Sequence, residues 1–187
     1  MKLTEQDVLQ LCPRVKDVKQ FTEALNKTLE KYSINTPLRI SAFLARMAVE
    51  SWYFTKFEEV WTNSPQQQKY DPASGSSLSR ILGNTKVGDG RKFSGKSIVQ
   101  LTGKSNYEQY SKFTGVDFVA FPEKLKEYPW KLDCGGWYWN SRNLNLLADK
   151  GDIVGIVKKI QGGTGGLEET KREYVKYLQW FKSKGYS

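Results

Sequence analysis

Residues 35–61 read NTPLRISAFLARMAVESWYFTKFEEVW, and the fold turns on how this stretch is divided. Asn35-Thr36-Pro37 is a helix start: a capping residue followed by proline, whose fixed φ suits the first helical position. Ile40, Phe43, Leu44 and Met47 then recur at helical spacing and mark one apolar face. The spacing predicts a helix running to about Glu50. Three acids follow closely, Glu50, Glu58 and Glu59. In one continuous helix, Glu50 and Glu59 would lie about half a turn out of phase, with a rise of ~13.5 Å. They serve one reaction only if the helix stops just after Glu50 and the chain turns back. Ser51, Tyr53, Phe54 and Thr55 are moderate helix formers and permit that stop. A glutamate at the end of a helix sits at its negative pole, which disfavours the ionised form and suits a general acid. Trp52 and Phe54 would push the same way if they desolvate it.

Outward from this stretch the pattern stays mostly helical. Thr4 caps a short helix ending before Pro13. Val18, Phe21, Leu25 and Leu29 face a second helix that ends near Tyr32. Pro65, the Gln66-Gln67-Gln68 run, Pro72 and Gly75 read as irregular chain, with a helical turn at Leu78 to Leu82. Phe93 to Leu101 is expected to be extended or a small hairpin. Helical spacing returns from Tyr107 to Phe113, Pro129 to Arg142, Asp152 to Ile160 and Leu167 to about Lys182. The last of these places Leu167, Tyr174, Leu178 and Phe181 on one stripe, opposite Lys171, Arg172 and Lys176. Glu168, Glu169 and Glu173 dilute that basic face, so packing on the core is expected rather than membrane disruption. GGTGG at 162–166 is not a phosphate loop, since no GxxxxGK[ST] occurs in the chain; it reads as a turn beside the site and a helix cap.

The 187 residues contain no histidine, which removes Ser-His-Asp triads, Cys-His pairs and HExxH metal sites. Cys12 and Cys134 stand alone, so neither a disulfide framework nor a zinc site is expected. Chemistry must rest on carboxylates, lysine, tyrosine, hydroxyls or a cofactor. The N-terminal MKLTEQDVLQLCPRV lacks the apolar run of a signal peptide, and no stretch is long and apolar enough for a membrane span. A net charge of +9 favours anionic polymers without choosing among nucleic acid, anionic lipid and a bacterial envelope.

Glycoside hydrolysis needs two carboxyl groups, one protonated and one ionised. Solvated surface glutamates are nonetheless the common case, so the acids alone leave the matter open. Ordered motifs decide it. FTEALNKTLEKYSINTPLRISAFLARMAVES at 21–51, FEEVW at 57–61, KFSGKSIVQLTGKSNYEQY at 92–110 and the run SRNLNLLADKGD, KKIQGG and GLEETKREY between 141 and 174 resemble glycoside hydrolase family 19, specifically the small endolysins of phages and prophages. The resemblance implies a general acid at Glu50, a general base at Glu59 and a water-holding hydroxyl at Thr102. It further implies substrate contacts at Gln100, Asn106 and Tyr107, and a basic residue, Arg172, lying toward the base. The sequence departs from the family pattern in four places. Val49 stands where a histidine is usual, Trp52 and Tyr53 where small glycines follow the Glu-Ser pair, Gly95-Lys96-Ser97 for Gly-Arg-Gly, and Gln161 for asparagine.

The expectation is a mainly α, lysozyme- or chitinase-like single domain spanning 1–187, with a central cleft and a small irregular or β segment near 85–100. The expected activity is inverting hydrolysis of the β-1,4 bonds of bacterial peptidoglycan, without metal or cofactor, by a monomer that binds neither nucleic acid nor membrane stably. The enzyme would wait in a host cytoplasm and act on the periplasmic wall. Two other readings fit the residues: a lytic transglycosylase using Glu50 alone, and a non-catalytic cell-wall-binding or phage structural module.

Overall fold

The computed structural model describes residues 1–186. Eleven α-helices follow in chain order: α1 (Glu5–Leu11), α2 (Val18–Lys31), α3 (Pro37–Glu50), α4 (Pro65–Gln68), α5 (Ser77–Ile81), α6 (Asp89–Lys92), α7 (Lys104–Thr114), α8 (Trp130–Ser141), α9 (Leu144–Ala148), α10 (Ile153–Gln161) and α11 (Leu167–Ser183). The mainly α expectation holds. The chain divides into two compact units. One comprises residues 1–55 and 135–187, the other residues 56–134.

The discontinuous unit is built around α3. Thr36 accepts a hydrogen bond from the Arg39 amide and Pro37 fills the first helical position, as the sequence predicts. Every residue from Ile40 to Ala48 is buried, so α3 is a central rod rather than a one-faced helix. Its neighbours are α11 and α9. Phe43 meets the Trp139 ring edge-on at 5.4 Å between centroids. Along α11 the buried residues are Thr170, Glu173, Tyr174, Tyr177 and Phe181. Tyr174 and Phe181 lie where the stripe predicts, but Glu173 does not lie on a solvated face. It is drawn inward by the Tyr53 hydroxyl at 3.4 Å and Lys176 at 3.5 Å. None of the helices is long and apolar enough to cross a membrane among the described residues.

The continuous unit is looser in secondary structure. From 61 to 81 the chain is a string of short helical turns, each started by a side-chain cap: Ser64 for α4, Asp71 for the 3-10 turn Pro72–Ser74, and Ser76 for α5. Those caps satisfy backbone donors that an irregular loop would leave to water. The expected β segment is reduced to two isolated antiparallel bridges, Glu58 to Lys96 and Lys96 to Leu101. Lys96 and Leu101 exchange backbone hydrogen bonds at 3.1 and 2.8 Å. The turn between them carries Ser97 and Gln100 at φ of 71° and 53°. Beneath it, Phe93 and Tyr107 meet edge-on at 5.2 Å.

Candidate functional site

Helix α3 ends at Glu50, where the sequence requires it to. The stop has a specific form. The Tyr53 amide donates to the Ala48 carbonyl at 2.6 Å, the long bond that closes a helix when the residue after the cap turns left-handed. Trp52, Tyr53 and Phe54 all have positive φ, at 51°, 60° and 64°. Glycine is the usual occupant of such a position, because a side chain there costs about 1–2 kcal/mol. Three contacts hold the turn. The Ser51 hydroxyl donates to the Met47 carbonyl at 2.6 Å and accepts from the Phe54 amide at 3.0 Å. Phe54 is buried edge-on against Phe21 at 5.4 Å. The Arg14 guanidinium lies 4.8 Å over the Tyr53 ring.

The partner of Glu50 is a residue the sequence reading passed over. Arg46, one turn earlier on α3 and 1% exposed, is ion-paired through Nη2 to Glu50 Oε1. The same guanidinium donates to Gln161 Oε1 at 2.9 Å, the Gly165 carbonyl at 3.3 Å and Thr170 Oγ1 at 3.4 Å. Burial holds its pKa down at about 10. Gly166 lies against this cluster. A Cβ there would stand 2.7 Å from Val49 Cγ1 and 3.1 Å from Arg46 Nη1, and its φ is +70°. The aromatic shield expected over Glu50 is therefore replaced by a buried cation. Trp52 is 65% exposed, and Phe54 spends its ring on Phe21. An arginine four residues before a glutamate, within the apolar run from Ala42 to Val49, was the available signal. Arg172 is exposed, and its described partners are the Tyr53 hydroxyl at 3.5 Å and Glu173 at 3.8 Å.

Glu59 has different surroundings, all within the continuous unit. Its Oε1 accepts from Gln67 Nε2 at 2.9 Å and its Oε2 from the Gly95 amide at 3.2 Å. The Glu59 amide donates back to the Gly95 carbonyl at 2.7 Å. Gln67 is itself fixed: Nε2 also reaches the Val60 carbonyl at 2.8 Å, and Oε1 accepts from the Thr62 and Ser64 amides at 2.9 and 3.3 Å. Here too a signal existed. Ser64-Pro65-Gln66-Gln67 is a capping box, and its glutamine doubles as the orienting amide. The Tyr70 phenol is pushed up by burial and then by the charge of Glu59.

Gly95 collects two more of the expected residues. A Cβ on it would stand 2.7 Å from Gln100 Oε1 and 3.3 Å from Thr102 Oγ1, so a side chain there would displace the Gln100 amide. Thr102 donates its one hydroxyl proton to the Gln100 carbonyl at 2.9 Å, which leaves its oxygen lone pairs to accept. Asn106 donates to the Thr102 carbonyl at 2.7 Å and so braces the same turn. Tyr107 differs from its expected role. It is wholly buried, with its hydroxyl on the Ser94 carbonyl at 2.8 Å. Its apolar ring fills the core under the turn, so it holds the 93–95 segment rather than presenting a surface to a ligand. A pocket of about 730 Å³ opens beside Glu59, walled by Trp61, Arg91, Lys92, Lys96, Glu58 and Glu123 among others.

No family model matches the chain. A curated Haemophilus influenzae protein described as a glycosyl hydrolase family 19 domain-containing protein is 28% identical over 179 residues, covering 84% of this chain and 87% of that one. Among solved structures, chitinase C from Streptomyces griseus superposes with a TM-score of 0.73 at 19% identity, over 94% of this chain and 90% of that one. A bacterial family 19 chitinase gives 0.72 at 20% identity over 94% and 93%. A class IV family 19 chitinase from Zea mays gives 0.67 at 14% identity over 96% and 90%. The fold is thus that of the family 19 chitinases.

Proposed function

We propose that this chain is an inverting glycoside hydrolase of the endolysin type, cutting the β-1,4 glycan strands of bacterial peptidoglycan. Glu50 is the general acid that protonates the leaving oxygen, a role in which it takes up its proton against the pull of the Arg46 guanidinium, and Glu59 is the general base that deprotonates the attacking water. The observation that carries the proposal is the setting of Glu59. Its carboxylate is held by two neutral donors, Gln67 and the Gly95 amide, and makes no ion pair among the described residues. Thr102 supplies the second contact for the water. Its own proton is committed to Gln100, so its oxygen accepts one water hydrogen while Glu59 takes the other. Gln100 in the turn and Asn106 at the start of α7 are the proposed sugar contacts. Both steps are proton transfers, so the mechanism asks for no metal or cofactor.

The net charge of +9 supports an anionic polymer as the substrate. Biologically, the reading extends to host-cell lysis by a phage or prophage product that acts as a monomer on the periplasmic wall.

The test is turbidity loss of purified Gram-negative sacculi, with mass analysis of released sugars, for wild type, Glu50→Gln and Glu59→Gln. Reducing muropeptides from wild type and a loss of about 10²–10⁴-fold in each variant are the expected result. Anhydro products with Glu59→Gln still active would make the chain a transglycosylase. Binding of sacculi without any release would make it a non-catalytic module.

A further inference from the structure

The wall of the pocket beside Glu59 carries charges of both signs, unevenly paired. It carries three carboxylates, Glu58, Glu59 and Glu123, and three cations, Arg91, Lys92 and Lys96. Two of the carboxylates are already matched. Lys96, 2% exposed, stands 3.8 Å from Glu58 and 3.7 Å from Glu123. Lys126 pairs with Glu58 at 2.8 Å and also with Glu123. Glu59 is held by neutral donors, as described above. Arg91 and Lys92, adjacent on α6, are left over. Both are exposed, and neither makes an ion pair among the described residues. A base that must ionise to work repels any anionic substrate, and two unmatched cations on the same wall offset that repulsion. Arginine adds a planar fork that matches a carboxylate. Trp61, on the same wall, offers the flat apolar face that a sugar ring needs.

We propose that Arg91 and Lys92 form a subsite for a carboxylate carried by the glycan, so that the pocket prefers an acidic amino-sugar strand to a neutral one. This rests on the proposed function and deepens it by assigning the substrate's charge to named residues. The carboxylate has two sources, the sugar ring's own acid substituent or the peptide attached to it, and the chemistry recognised is the same.

The experiment is a calorimetric binding titration with three probes: neutral chitohexaose, peptide-free murein glycan strands and peptide-bearing soluble murein strands. Wild type is compared with Arg91→Gln/Lys92→Gln. Wild type is expected to bind at least one anionic strand about tenfold more tightly than chitohexaose, and the double variant to lose that preference while its affinity for chitohexaose is unchanged. If only peptide-free strands show the preference, the ring carboxylate is the ligand; if only peptide-bearing strands show it, the peptide is. An Arg91→Lys/Lys92→Arg variant, which conserves charge, is expected to recover most of it. Equal weakening toward all three probes would report a damaged fold, and absence of any preference in wild type would remove the subsite; either result overturns the proposal. Because binding is read without turnover, a protein that shows the preference but cuts nothing would keep the subsite and sink the hydrolase reading.

Discussion

The two candidate catalytic glutamates are held by opposite means. Glu50 is paired to a buried guanidinium that also ties down Gln161, Gly165 and Thr170, whereas Glu59 is held by an amide side chain and a backbone N–H. Removing Arg46 would leave Glu50, whose side chain is 16% exposed, without its counter-charge and would strip three acceptors of their donor. Arg46→Ala is expected to cost about 3 kcal/mol in urea unfolding. Arg46→Lys should recover only part, since an ammonium cannot span four acceptors in one plane. A midpoint equal to wild type in the alanine variant would show that the cluster contributes nothing to stability. On the other side, Gly95→Ala forces a methyl to within 2.7 Å of Gln100 and 3.3 Å of Thr102. A fall in turnover of about 10²-fold with far-ultraviolet dichroism unchanged is the expected result, and wild-type turnover would detach this turn from the chemistry.

Among elements, Trp52-Tyr53-Phe54 is a run of three consecutive non-glycine residues with positive φ, and no other such run occurs among the described residues. Tyr53 and Phe54 repay part of its backbone cost through Arg14, Glu173 and Phe21, while Trp52 is mostly in solvent. Trp52→Gly is therefore expected to stabilise the fold by up to about 1 kcal/mol, read as a rise in melting temperature; a fall would mean that the indole contributes more than its backbone costs. The same elements show what a sequence discloses. The start of α3 and its end at Glu50 were legible, because a Thr-Pro cap and the need to turn before Glu59 both act locally. So was the departure from glycine at Trp52 and Tyr53, though not that these residues would still adopt the glycine conformation. That outcome depends on Arg14 and Glu173, from distant parts of the chain. The short helices α4 and α6 escaped because four residues show no periodicity. Glu173 escaped because a charged residue on a helix is by default solvated, and only its partners pull it in. Gln100, Thr102 and Asn106 were legible as a motif, and what the structure adds is the approach of Gln100 and Thr102 to Gly95 and the bracing of Thr102 by Asn106.

At the scale of the whole molecule, the absence of histidine leaves the buried thiols as the clearest handles on pH. Burial pushes the Cys134 thiol up to about 12 and Cys12 higher still. In an unfolded chain both would lose their protons near pH 9, while the folded protein keeps them. The stability they contribute is intact below about pH 9 and is lost as pH rises beyond it, at about 1.4 kcal/mol per pH unit for each thiol. Arg46 works in the opposite direction, but only above its value of about 10. The denaturant midpoint is expected to fall between pH 8 and pH 10 in wild type and to fall less in Cys12→Ala/Cys134→Ala. Identical slopes in the two proteins would mean that the thiols are not shielded as described.

The order in which the parts are synthesised carries a consequence of its own. The unit holding Glu50 is assembled from residues 1–55 and 135–187, with residues 56–134 translated between them. Arg46 meets Thr170 across 124 positions of chain. A ribosome therefore emits the Glu59 unit as one uninterrupted stretch, free to settle as it appears, while α3 waits for α11 to be made. Throughout that interval the guanidinium beside Glu50 lacks its partners on α10 and α11. A nascent chain is on this account without the surroundings of Glu50 until α10 and α11 have been made, so the two units mature in sequence, the Glu59 unit first.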